Sequence, residues 1–101
     1  LLARLHGRPV GCGAVRRGDD DSAELKRMYV DPSARGHGLG RRLLAVLEEQ
    51  ARALGAARLL LETGDRQHEA VGLYLAAGYV VIDRFGAYVD SPLSLCMGKT
   101  L

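Results

Sequence analysis

The chain has 101 residues, 48% hydrophobic and 26% charged, with a formal net charge of +2. That length sets one domain around one core, residues 1–101, with the composition of an ordinary globular protein. The weak positive balance gives no case for a nucleic-acid partner. No apolar run approaches the roughly 20 residues of a membrane span, and no signal peptide is visible, so the expected compartment is the cytoplasm, with no membrane partner. Cys12 and Cys96 sit in apolar runs without metal-type spacing, and the three histidines do not pair with them. Free, buried thiols and no metal site are expected. With no Trp and one Phe, the core must come from Leu, Val and Ala.

In chain order, residues 1–6 and 10–16 are apolar runs joined by Gly7-Arg8-Pro9, which reads as an antiparallel hairpin. Gly11 and Gly13 lower its strand propensity and point to a bulge or to close packing by another element. An acidic loop at residues 18–22 leads into a strand at 23–30. Alternation there puts Glu24, Lys26, Met28 and Val30 on one face and Leu25, Arg27 and Tyr29 on the other. Neither face is cleanly apolar, as in strands that bulge near a ligand. Residues 39–54 form the clearest helix. Leu39, Leu43, Leu47, Ala51 and Leu54 share a face widened by Leu44 and Val46, and Glu48 and Arg52 are an i,i+4 pair on the polar side. Gly55 stops it. The run Leu59-Leu60-Leu61 is that of a strand buried on both faces in a parallel arrangement, so residues 23–63 make a βαβ unit. A second helix spans 67–77, with Val71, Tyr74, Leu75 and Gly78 on one face, and strands at 79–85 and 92–99 close the chain.

The loop before the first helix carries glycine at 36, 38 and 40. Unpaired N–H groups at the helix start and the positive end of its dipole suit an anion, and glycine lets a ligand lie on the backbone. A Walker loop would need Gly-Lys-Ser/Thr, but Arg41-Arg42 follows Gly40. A dinucleotide fingerprint starts well at Gly36 and Gly38, with Glu62 as a later acid, but its last glycine comes one residue early. The third pattern is Arg35-x-x-Gly38-x-Gly40. Taken alone, the loop also fits a turn capping an ordinary helix.

That motif, the element order, and a second signature together resemble the GNAT superfamily of acyl-CoA N-acyltransferases over nearly the whole length. The second signature is Leu60-Leu61-Glu62-Thr63-Gly64, then Leu73-Tyr74, then Ala77-Gly78-Tyr79. The resemblance implies an α/β (α+β) fold, a mixed sheet in the order β-β-β-α-β-α-β-β around a central parallel βαβ unit. It implies acetyl-CoA as co-substrate, no metal, and transfer of the acetyl group to a primary amine by direct attack in a ternary complex. The pyrophosphate would rest on Gly36, His37, Gly38, Leu39 and Gly40, with charge from Arg35 and Arg41. The pantetheine arm would lie along Met28, Tyr29 and Val30, in a gap between that strand and the one at 58–62. Gln67 stands where many members carry an Asn that contacts the arm.

Tyr74 matches the general acid that protonates the departing thiolate; a core tyrosine is its alternative role. Glu24 lies on the strand that supplies the base in some members; a strand-face charge paired with Lys26 or Arg27, or a water chain in its place, stays open. His37 is a loop residue in contact range of the ligand. Family members carry a strand and one or two helices before the residue matching Leu1, forming a wall of the acceptor site. Without them, exposed apolar surface and a homodimer are expected, and a catalytically silent acyl-CoA-binding module is the alternative function. The expected acceptor is a small-molecule or peptide amine, with a small amine, an aminoglycoside, a peptide N-terminus and a protein lysine all open.

Overall fold

The computed structural model describes residues 1–5, 7–32, 38–64 and 66–101. The elements are β1 (Leu2–Leu5), β2 (Arg8–Arg17), β3 (Ser22–Val30), α1 (Leu39–Ala53), β4 (Arg58–Gly64), α2 (His68–Ala76), β5 (Val80–Ile82) and β6 (Ser94–Thr100). They form one six-stranded sheet in the order β1-β2-β3-β4-β6-β5. β3 and β4 run parallel; the other neighbours are antiparallel. The expected order of elements and the central βαβ unit are therefore both present. The fifth strand is shorter than the expected 79–85. Val80 and Val81 lie on an edge paired only to β6, and the chain then turns into a short 3-10 helix, Gly86–Tyr88.

The alternation expected along β3 breaks at Arg27. Cys12 of β2 faces Tyr29, but Ala14 faces Lys26, so Arg27 and Met28 together oppose Gly13. Arg27 has φ of 56°, and its carbonyl accepts from the Cys12 thiol at 3.3 Å. This bulge shifts the strand by one residue. Ala23 and Leu25 face the core before it; Met28 and Val30 face the core after it, and Tyr29 turns out. A mixed pattern thus becomes a strand that buries one face on both sides of a bend.

Glycines in β2 let α1 lie close. A Cβ on Gly13 would sit 2.6 Å from Leu47 Cδ1, and one on Gly11 would sit 2.9 Å from the Tyr29 carbonyl oxygen. Leu43, Leu44, Leu47 and Ala51 bury against the sheet there. Three assignments on this helix are corrected. Val46 and Leu54 are exposed, and Glu48 is buried, not part of the polar face. Its carboxylate accepts from the Tyr79 hydroxyl at 2.8 Å and pairs with Lys99 Nζ at 3.1 Å, while Arg52 pairs with Glu49. A charge at a core position is stable only with such partners. On α2 the buried face is Ala70, Leu73, Tyr74 and Ala77, and Leu75 is exposed. Cys12 and Cys96 are both free thiols; Cys96 is buried and Cys12 half-buried.

Candidate active site

The parallel pairing of β3 with β4 is short. It joins Ser22, Ala23 and Glu24 to Arg58, Leu59 and Leu60 and goes no further. Beyond it, the bulge bends β3 away, while β4 continues with β6 as far as Gly64. The strands part, and a cavity of about 660 Å3 lies beyond, lined by the end of β3, the start of α1 and by α2, with no described β4 residue in its lining. That volume is in the range of small-molecule sites.

Three walls meet there. Met28, Tyr29 and Val30 of the bulged strand form the first. Gly38, Leu39, Gly40 and Arg41, at the start of α1, form the second. Gly38 is the N-cap with φ of 71° and makes no side-chain cap, and no acidic residue occupies the first turn. Left-handed backbone at this point suits glycine, and the first N–H groups of the helix are not taken by a cap side chain. The third wall comes from α2: Gln67 at its N-cap, then Ala70, Leu73 and Tyr74. Leu73 reaches the start of α1, since a Cβ on Gly40 would lie 3.1 Å from Leu73 Cδ2. The same cavity therefore takes in every described residue expected at the donor site. Arg35, Gly36 and His37 lie outside the described residues.

Tyr74 is 5% exposed and meets the Tyr79 ring edge-on, with centroids 5.8 Å apart. Among the described residues its hydroxyl makes no hydrogen bond. Burial pushes its pKa up from 10.0 to about 12, so it keeps its proton at neutral pH. Tyr74 both packs in the core and lines the cavity.

Glu24 does not line the cavity. It lies one residue from core-facing Ala23 and Leu25, on the other side of the strand, and is buried there among donors. Lys26 Nζ lies 2.8 Å from Oε1, Arg16 Nη2 lies 3.3 Å from Oε2, and the Tyr88 hydroxyl donates to Oε1 at 3.2 Å. Lys26 also donates to the Tyr88 oxygen at 2.7 Å. Its pKa is raised, chiefly by the hydrogen bond to Glu24. A second carboxylate, Glu62, is half-buried on β4 past the last pair with β3, and accepts from the Ser94 hydroxyl at 2.6 Å. Ser94 in turn shares a 2.8 Å hydrogen bond with Ser91.

Sequence reasoning missed Arg66, His68, Glu69, Ala70 and Leu73 in the lining. Ala70 and Leu73 carried a signal, because they share the Tyr74 face at i, i+3 and i+4 spacing. Arg66 and His68 flank Gln67, which was expected to touch ligand. No group of His, Cys, Asp and Glu suited to a metal occurs among the described residues. No helix among them is long and apolar enough to cross a membrane.

The acetyltransferase (GNAT) family model matches residues 1–79. An IAA acetyltransferase of Azospirillum brasilense is 47% identical over the whole of this chain, which covers 67% of that protein. The chain covers about half of two further curated relatives, N-acetyltransferases of uncharacterised role from Escherichia coli and Schizosaccharomyces pombe. Among solved structures, a candidate acyl-CoA N-acyltransferase from Klebsiella pneumoniae superposes with a TM-score of 0.91 at 44% identity, over 97% of this chain and 68% of that one. A GNAT acetyltransferase from Elizabethkingia anophelis with acetyl-CoA bound has a TM-score of 0.84 at 20% identity, over 99% of this chain and 74% of that one, a likeness of fold. With the family model spanning most of its length, the chain belongs to the GNAT family of acetyltransferases.

Proposed function

We propose that this chain is the donor-binding core of an N-acetyltransferase, taking acetyl-CoA into the cavity lined by the end of β3, the start of α1 and α2, and passing the acetyl group to a primary amine. The observation that carries this is the parting of the two strands after Glu24 and Leu60. It leaves backbone edges facing a gap, and an extended arm with two amide groups, such as pantetheine, suits that space. The open start of α1, with Gly38, Leu39 and Gly40 and the Arg41 guanidinium beside them, suits a pyrophosphate. Arg35, Gly36 and His37 extend the same motif.

In the proposed reaction the neutral amine attacks the thioester carbonyl carbon. The carbon–sulfur bond breaks and the electron pair leaves on sulfur. Tyr74, protonated at neutral pH, gives the departing thiolate its proton. The proton lost by the amine goes to a carboxylate. Glu24 is the expected base, but it lies outside the cavity lining and its oxygens already accept from Lys26, Arg16 and Tyr88, so a water chain would have to carry the proton to it. Glu62, with one hydroxyl donor at 2.6 Å but likewise outside the cavity lining, is the second carboxylate to test. The crowding of Glu24 also favours a second reading, a module that binds acyl-CoA without turnover.

The experiment is release of free coenzyme A thiol from acetyl-CoA across a panel of small-molecule and peptide amines. Amine-dependent release that falls in Tyr74→Phe supports transfer. Saturable acetyl-CoA binding with no release for any amine supports the silent module. Absence of both binding and release contradicts the proposal.

A further inference from the structure

The two helices cover one face of the sheet. Ala23, Leu25, Leu59 and Leu61 pack there with Leu44 and Leu47 of α1. Strand alternation sends Glu24 to the opposite face. Three donors meet it there. Arg16 stands across from it on β2, Lys26 follows it on β3 just before the bulge, and Tyr88 reaches it from the short 3-10 helix. Glu24 also makes the last β3–β4 pair, with Leu60. Lys26 therefore lies where β3 has left β4, and Met28, Tyr29 and Val30 just after it line the cavity. An amine that comes to this cavity from the face without helices passes Lys26 and Arg16.

Two cations share one carboxylate, so the group holds one positive charge in excess. Its donors are not used up. Arg16 has five N–H groups and, among the described residues, gives one, to Glu24. Lys26 has three and gives two, to Glu24 and Tyr88. The Arg16 side chain is 68% exposed and that of Glu24 11%, so an incoming ligand meets the cations first.

We infer that Arg16 and Lys26 form a subsite for a carboxylate on the acceptor, so the amine acetylated here is of the amino-acid type. The inference rests on the N-acetyltransferase reading above and names its acceptor class. A substrate carboxylate offers both cations the charge-assisted bonds that Glu24 gives them, and draws them off it. Glu24 keeps the Tyr88 hydroxyl and, through water, takes the proton that the amine loses. The remaining steps are unchanged: the carbon–nitrogen bond forms, the carbon–sulfur bond breaks, and Tyr74 protonates the thiolate. A plain amine gives the cations no second partner, and Glu24 stays occupied.

The test is release of coenzyme A thiol from acetyl-CoA with the common amino acids and γ-aminobutyrate, each paired with the amine that lacks only its carboxylate. Wild type, Arg16→Gln and Lys26→Met are compared, with circular dichroism to check the fold. Arg16 is exposed, so Arg16→Gln is expected to fold, and Lys26→Met gives a second reading. For at least one pair, wild-type kcat/KM should be about tenfold or more higher for the carboxylate-bearing member. Each variant should slow that member selectively and narrow the preference. Equal wild-type rates within every pair overturn the inference. Equal slowing of both members in the variants also overturns it, since ion pairs that only hold the sheet would act on both alike. Acetyl-CoA binding by calorimetry with no release for any amine overturns the acceptor class and leaves the donor site standing. Absence of binding removes the donor site as well, so the two failures are distinct.

Discussion

Tyr74 and Gly38 hold the most chemistry per atom in this chain. Tyr74→Phe keeps the ring and its edge contact with Tyr79 and removes only the hydroxyl. Turnover with a good amine acceptor should fall about 100-fold, with acetyl-CoA affinity unchanged. Unchanged turnover at saturating substrate would remove Tyr74 as the acid. Burial pushes the Tyr74 hydroxyl up to about 12, so its loss of protonation should not limit the rate between pH 7 and pH 10. Gly38→Glu puts a side chain on left-handed backbone at φ of 71°, at a cost of about 1–2 kcal/mol, and sets a carboxylate at the anion site. It should remain folded and lose acetyl-CoA binding; retained binding would move the pyrophosphate elsewhere. The roles expected of these residues came from a motif, because one sequence shows which side chains are present but not which share a cavity. Arg66 and His68 show the limit, since only the folded chain places them in the lining of the same cavity as Arg41.

At the level of elements, the bulge in β3 and the glycines opposite it fit α1 to the sheet and open the cavity. Gly13→Ala should cost about 1–3 kcal/mol, because the new Cβ meets buried Leu47 at 2.6 Å. For a domain of this size that lowers Tm by roughly 5–20 °C. A change within 1–2 °C would show that α1 can shift at no cost. Glu48→Ala strips Tyr79 and Lys99 of their shared acceptor and should cost about 2–4 kcal/mol, read by chemical denaturation. The order of elements was legible because long runs carry their own period, as in the leucines of α1 and β4. The bulge was legible only as an irregularity, since a one-residue slip reverses every side chain after it. Glu48 was misread for a related reason: helix periodicity ranks a charge as outward until its partners, from residues 79 and 99, are known.

Across the whole molecule, proton binding ties stability to pH. Burial raises the hydroxyls of both Tyr74 and Tyr79, and the Glu48 carboxylate raises Tyr79 further. The unfolded chain ionises both near pH 10. Above that pH the unfolded state has lost protons that the folded state keeps, so stability present below pH 10 falls as pH rises toward 12. Thermal unfolding should therefore drop above pH 10, and less steeply in Tyr79→Phe. The central claim, that the cavity between the end of β3, the start of α1 and α2 is a donor site, is tested most directly by thermal unfolding with acetyl-CoA. Ligand at 100 times its Kd stabilises a folded state by about 2.7 kcal/mol, a rise of order 10 °C in a domain of this size. The account predicts that rise in wild type and none in Gly38→Glu. A folded wild type whose Tm is unmoved by millimolar acetyl-CoA would contradict it.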